Sequence, residues 1–336
     1  MTIFRGDWIR CYRPRPYATR RLICLPHAAG GAGFYRQWVD TLPADVELWA
    51  VQYPGREDRF TEPCVPEMDT LADLIADALA PVLDLPTAVF GHSMGAAVGY
   101  EVTRRLLGRG AAVERLFVSA RPSPSHQRAT RTEVYLRDDD GIVGELATLR
   151  GSGIAVLDQP ELRQLVLPMV RNDFRLIETY RPAPADPLPI PILALAGADD
   201  PRMTVAQAAD WAEATDAGFG LEVFPGGHFY LEPHRAQVID TVIRHLNTPT
   251  SKEKAMTTPD ELTVDGIRAS VAEMLAIDVD RVGPEDNLLM LGVDSIKLMG
   301  LASRWQRHGV EVPFVELAEN PTAAHWAKLL GGARTA

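Results

Sequence analysis

TAVFGHSMGAAVGYEVTRRLLGRG, residues 87–110, decides how the rest of the chain is read. It opens on a short apolar run and breaks at Gly91-His92-Ser93-Met94-Gly95. It then continues as a helix-forming stretch and stops at Gly-Arg-Gly. G-x-S-x-G alone is weak evidence, since composition would put it in about one chain in ten of this length. The strand-turn-helix setting makes it specific. Small flanking residues permit a sharp turn, the serine Oγ is pushed out at the strand's C-terminal end, and the helix N-terminus favours negative charge beside it. Ser93 is therefore the expected nucleophile.

A serine hydroxyl is a poor nucleophile at neutral pH and needs a base, itself oriented by an acid. After an elbow of this kind the chain order is Ser, then Asp or Glu, then His. The run PILALAG leads into Ala198-Asp199-Asp200-Pro201, and LEVFP leads into Gly226-Gly227-His228-Phe229. Both sit where a strand ends and a loop begins, the place where such sites assemble. His228 is the expected base and Asp200, next to Pro201, the expected acid, with Asp199 open as the alternative. A tetrahedral intermediate needs two donors for its oxyanion. The N–H of Met94, after the nucleophile, is one. The turn Pro26-His27-Ala28-Ala29-Gly30-Gly31 supplies the other, Ala28 first and Ala29 second. His92 is expected to pack or hydrogen-bond at the elbow, and His234 and His245 to be solvated on a helix. No histidine shows metal spacing, so no metal is expected.

Around the elbow, RRLICL, VELWAV and ERLFVS read as further continuous apolar strands, alternating with helical patterns at 68–83 and 204–214. Strands without in-out alternation, separated by helices, predict an α/β fold with a mostly parallel sheet covered on both faces. Residues 123–186 interrupt the alternation with helical stretches only, which predicts a lid over one edge. The polar, proline-bearing stretch NTPTSKEKAMTTPDE begins at 247 and reads as a linker over 247–259. The expected domains are 1–246, then 260–336 as a small all-α unit of four helices.

The 336 residues suit two domains. A net charge of −11 argues against a nucleic-acid partner, which would need a basic face. Cys11, Cys24 and Cys64 have no metal-like spacing and leave one unpaired, which fits a reducing cytoplasm. No apolar leader and no 18-residue apolar run is present, so neither secretion nor a membrane partner is expected.

A second serine stands in LGVDSIKLMG, 291–300. Asp294 suits a helix cap, and a phosphodiester on Ser295 would meet the free N–H groups of a helix N-terminus. The plain alternative is a simple Asp-Ser cap. The wider stretch 286–330, with D-N-L, L-G-V-D-S, R-W and V-P-F-V-E-L-A-E-N-P-T, is similar to the aryl carrier domains of siderophore pathways. That resemblance implies 4'-phosphopantetheine on Ser295, with an acyl or aryl group on the arm. Likewise LPHAAGGAGFYRQW, VQYPGREDR, FGHSMGA, LPMVRNDFRLIETY, LAGADDP and PGGHFYL together resemble the type II, editing thioesterases of nonribosomal peptide and polyketide synthesis. This implies an α/β-hydrolase with a helical lid that cleaves acyl thioesters from carrier arms. The implied partners are a phosphopantetheinyl transferase, an adenylation or other acyl-loading enzyme, and other carrier domains.

Three functions are then to be weighed. The chain clears wrong acyl groups, or releases one finished acid, or is mainly a carrier whose hydrolase part only docks. An esterase reading also stands, because a triad does not by itself select thioesters. A flexible linker of this length spans roughly 20 Å, which permits encounter within one chain at about millimolar effective concentration.

Overall fold

The structure, a computed structural model, describes residues 3–129, 132–149, 151, 157, 159–248, 262–275, 277–294, 297–298, 300–302, 305 and 314–332. Two compact units divide the chain, Met1–Leu246 and Asn247–Ala336. Most of the expected linker, and Ser295 itself, lie outside the described residues.

Among the described residues of the first unit, eight strands form one sheet in the order β1-β2-β4-β3-β5-β6-β7-β8. They are β1 (Ile3–Arg5), β2 (Ile9–Cys11), β3 (Arg20–Leu25), β4 (Val46–Val51), β5 (Thr87–His92), β6 (Val113–Ser119), β7 (Ile192–Gly197) and β8 (Phe219–Phe224). From β4 to β8 all neighbours run parallel. The pairs β1–β2 and β2–β4 are antiparallel.

Every residue of β3, β4, β5 and β7 is buried. The faces still alternate with the period of two that a strand imposes. Ile23 and Leu25 of β3 pack with Trp49, Val51 and Val89 in one cluster, while Leu22 and Cys24 pack with Leu48, Ala50 and Phe90 in the other. The first face is covered by α1 (Met68–Leu79) and α2 (Met94–Gly108). The second is covered by α7 (Arg235–Leu246) and a 3-10 segment, Ala32–Asp40, that contributes Tyr35 and Trp38. Full burial on both sides is why the strands show as unbroken apolar runs.

After β6 the chain leaves the sheet and forms α3 (Pro124–Ala129), α4 (Asp139–Leu149) and α5 (Pro160–Thr179) before β7. The expected helical lid over 123–186 falls on these three. They have a small core of their own, with Val134, Ile142, Leu146, Met169, Val170 and Phe174. The C-terminal half of α5 also reaches the main core through Leu176 and Ile177, and the Tyr180 hydroxyl donates to Glu101 of α2 at 2.6 Å. Between β7 and β8 lies α6 (Val205–Ala209), started by a Thr204–Gln207 capping box.

The second unit is helical. Helices α8 (Val264–Leu275), α9 (Phe314–Glu319) and α10 (Ala323–Gly332) are joined by described residues between 297 and 305 that are all helical. Its core gathers Ile267, Val271, Leu288, Leu298, Trp305 and Trp326. The Trp305 and Trp326 rings meet edge to face at 5.7 Å, and Trp326 Nε1 donates to the Leu317 carbonyl at 2.9 Å. A buried indole with its N–H satisfied carries its apolar area without a polar penalty.

Candidate active site

Ser93 occupies the turn between β5 and α2 at φ +55°. A non-glycine residue held there costs on the order of 1–3 kcal/mol and persists only where its surroundings enforce it. Here they do. The Ser93 N–H donates to the Ser119 carbonyl of β6 at 2.8 Å, and its own carbonyl accepts from Ala96 at 3.0 Å. A Cβ on Gly91 would stand 2.1 Å from the Gly95 carbonyl oxygen, and one on Gly95 would stand 2.1 Å from that of Leu25. Both are backbone atoms that cannot move aside, so both flanking positions require glycine.

His228 follows β8 and Asp200 follows β7. His228 Nε2 lies 2.9 Å from Ser93 Oγ, and its Nδ1 lies 2.9 and 3.1 Å from the two Asp200 oxygens. The Asp200 side chain is fully buried. Its Oδ1 also accepts the Arg202 N–H at 2.8 Å, which fixes the carboxylate's rotation. Asp199 is exposed. Three residues spread over 135 positions are thus brought into one hydrogen-bonded line, with Asp200 rather than Asp199 in it.

Two more histidines stand close by. His92 Nδ1 is 2.9 Å from Ser119 Oγ, which is 2.6 Å from the Tyr230 hydroxyl. His27 packs edge-on against Phe34 and Phe229. Burial, reinforced by His228, pushes the His27 pKa down to about 3 and holds His92 well below the usual histidine range. Both rings stay neutral. Their neutrality leaves no charged histidine beside His228. His245, expected to be solvated, is instead half-buried, 3.7 Å from Glu222, and His234 is half-buried too.

The turn after β3 emerges beside the elbow because Leu25 pairs with Gly91 in the sheet. His27, Ala28, Ser93, Met94 and His228 line one cavity of about 150 Å³, with Leu146 of α4 and Phe174 and Ile177 of α5 also in its wall. The Ala29 N–H is taken by Asp173 Oδ2 at 2.8 Å. The N–H groups of Ala28 and Met94 donate to nothing among the described residues. The turn therefore leaves Ala28, not Ala29, available as a donor.

Two side chains here were not picked out from the sequence. Arg56 and Asp173 form a bidentate pair at 2.7 and 2.8 Å, both buried, and Arg56 also donates to the Gly30 carbonyl at 3.1 Å. Burial opposes the Arg56 charge, but Asp173 outweighs it and holds the guanidinium pKa above its ordinary value. Both residues lie in stretches that carry the family resemblance, yet no spacing ties position 56 to position 173.

In the helical unit, Asp294 Oδ1 accepts the Lys297 N–H at 2.8 Å and its carbonyl accepts that of Leu298 at 2.9 Å. Asp294 is therefore an N-cap, and the serine next in sequence follows it directly. A phosphopantetheine group fits this setting. A helix N-terminus favours an anion, and the Lys297 ammonium donates to the Gly292 carbonyl at 2.8 Å. Among the described residues no helix is long and apolar enough to cross a membrane, and no three metal-ligating side chains converge.

Comparison with known proteins agrees with this geometry. Residues 20–248 match the family described as Thioesterase domain, and residues 265–330 match Phosphopantetheine attachment site. The chain is 45% identical over 227 residues to the probable cadicidin biosynthesis thioesterase of Streptomyces griseus, covering 68% of this chain and 62% of that one. It is 38% identical over 248 residues to Thioesterase PikA5 of Streptomyces venezuelae, covering 73% of this chain and 88% of that one. Among solved structures, the type II thioesterase BorB from the borrelidin cluster superposes with a TM-score of 0.67 at 45% identity, over 71% of this chain and 97% of that one. The chain belongs to the thioesterase domain family and carries a phosphopantetheine attachment domain behind it.

Proposed function

We propose that this chain hydrolyses acyl thioesters held on the arms of carrier proteins in nonribosomal peptide or polyketide synthesis, and that its own carrier domain, armed at Ser295, holds an acyl group, aryl groups included. The observation that carries this reading is the Ser93–His228–Asp200 line facing a cavity with two free N–H groups, in a chain that also has an attachment domain.

The chemistry follows from the distances. His228 Nε2 takes the Ser93 proton as Oγ attacks the thioester carbonyl, and Asp200 holds the imidazole with Nδ1 protonated and stabilises its charge. The developing oxyanion is received by the N–H groups of Met94 and Ala28, at the positive end of α2. The thiol leaves with the proton from His228, and His228 then activates water to free the acid from Ser93. The phosphopantetheine group, when bound, supplies the thiol on which the acyl group is carried.

Of the readings weighed above, editing is favoured by the likeness to type II thioesterases such as BorB. We assign the loading step to an adenylation or other acyl-loading enzyme and the arming step to a phosphopantetheinyl transferase, in the cytoplasm, consistent with three free cysteines.

The test is to arm and load the protein with a panel of acyl groups and follow intact mass. Wild type should lose the acyl mass and Ser93→Ala should keep it, with broad acyl tolerance. Equal retention by both proteins would overturn the hydrolase reading in favour of a carrier with a docking module. No mass added at Ser295 would remove the carrier.

A further inference from the structure

The Arg56–Asp173 pair joins the lid to the catalytic turn, and nothing in the reaction as described above uses it. We propose that Asp173 is a positioning residue for the oxyanion hole: it fixes the backbone of Ala29 and so keeps the Ala28 N–H aimed at the reacting carbonyl. This rests on the reading of Ala28 as a hole donor.

The argument starts with the turn. The Gly30 N–H donates to the His27 carbonyl at 3.0 Å, closing a β-turn whose middle residues are Ala28 and Ala29. Ala29 has φ +66°. A positive φ at the third residue of a turn is glycine's conformation, and alanine takes it only when something enforces it. Glycine follows at once in the sequence, at positions 30 and 31, yet position 29 is alanine. The enforcing contact is the Asp173 carboxylate, which accepts the Ala29 N–H at 2.8 Å. Asp173 is in turn clamped by both Arg56 nitrogens. Arg56 also holds the Gly30 carbonyl at 3.1 Å, so the clamp grips the turn at two peptides.

The His27 carbonyl and the Ala28 N–H belong to the same trans peptide and point in opposite directions. With the carbonyl bound to Gly30, the direction of the Ala28 N–H is set by the turn. Without an acceptor for Ala29, nothing holds the positive φ that alanine disfavours, and relaxing it loosens the turn and its Gly30–His27 hydrogen bond, on which the direction of the Ala28 N–H depends. Asp173 stands on α5, whose next residue, Phe174, lines the cavity. Seating α5 and assembling the oxyanion hole are therefore one event.

The experiment measures kcat, KM and melting temperature on an acyl-pantetheine thioester for Asp173→Ala and for the paired variant Arg56→Met/Asp173→Leu, each with and without Ala29→Gly. The paired variant leaves no buried charge unmatched and so carries the test if Asp173→Ala fails to fold. Loss of one hole donor costs about 10²–10³ in kcat, which bounds the effect. Expected is a fall of roughly 10–100-fold in kcat with KM within about twofold. Glycine at position 29, which adopts positive φ unaided, should restore most of it. A purely structural role would lower the melting temperature without such rescue. Folded variants with full kcat, or a loss that Ala29→Gly leaves unchanged, overturn the proposal. Ser93→Ala is the separate control. If it retains activity, the serine reading fails and the hole with it. If it is inactive while the Asp173 variants run at full speed, the positioning role alone fails.

Discussion

Asp200→Asn should cost far more than the loss of a charge, and the structure says why. Asp200 Oδ1 accepts the Arg202 N–H at 2.8 Å and Oδ2 lies 2.9 Å from His228 Nδ1. Asparagine has one acceptor oxygen. If that oxygen stays with Arg202, the amide NH₂ faces His228 Nδ1, and two donors confront each other unless the imidazole moves its proton to Nε2. If the amide flips, the NH₂ confronts the Arg202 N–H instead, leaving a buried donor unmatched at about 1–3 kcal/mol. Changing the tautomer of a neutral imidazole costs less, so the ring adopts it. Nε2 then carries a proton, 2.9 Å from Ser93 Oγ, and cannot accept another. Wrong-tautomer triads lose about 10⁴ in kcat, or about 5 kcal/mol at 1.36 kcal/mol per decade. Asp199→Asn, on an exposed side chain, should stay within about twofold. The assay is hydrolysis of an acyl-pantetheine thioester, read as released thiol, with folding checked by melting temperature. A folded Asp200→Asn enzyme within tenfold of wild type, or an Asp199→Asn enzyme that falls as far, would refute the reasoning.

Gly95→Ala should be both destabilised and slow. Its Cβ would sit 2.1 Å from the Leu25 carbonyl oxygen. Forcing α2 off β3 costs about 1–3 kcal/mol by overpacking and shifts the Met94 N–H. Thermal melts and kcat should fall together, and a wild-type kcat would contradict the elbow geometry. Stability should drop on acidification, because His92 has its pKa lowered by burial and binds its proton only when unfolded. The sign is that stability is full above the unfolded pKa near 6.5 and is lost as pH falls below it, by up to about 1.4 kcal/mol per pH unit. Melting temperatures at pH 7 and pH 5 should differ less for His92→Gln than for wild type; an equal difference would count against a neutral His92. Trp326→Ala removes a fully buried indole and should cost the helical unit about 3–5 kcal/mol. Phosphopantetheine attachment should fail at 37 °C while hydrolysis of a small thioester persists, and parallel loss of both would show that the two units depend on each other.

Much of this was legible from the residues. The parallel strands β3 to β7 announced themselves as continuous apolar runs, because burial on both faces leaves almost no polar side to alternate; β8, at the sheet edge, is mostly half-buried. Ser93, Asp200 and His228 were candidates because each stands where such a run gives way to a loop. The helices between β6 and β7 were visible as an interruption of that rhythm. Strands β1 and β2 were not. Three residues each, IFR and IRC, are too short to display a period, and they exist by pairing with β4 and each other.

What the sequence determined by itself is what local chemistry can write: periodicity, turn residues, the Ser-Asp-His order of the candidate residues, and the Asp-Ser pair at 294–295. What only the tertiary structure decided are choices between neighbours. Asp199 and Asp200 differ by one position, and the hydrogen bonds to His228 and Arg202 select Asp200. Ala28 and Ala29 are identical side chains, and a carboxylate 144 positions away takes one N–H and leaves the other. The partnership of Arg56 with Asp173 depends on where the loop after β4 and the helix α5 meet above the sheet. Hydrogen bonds act over about 3 Å of space. No pattern along the chain records which distant residues the fold will bring within that distance.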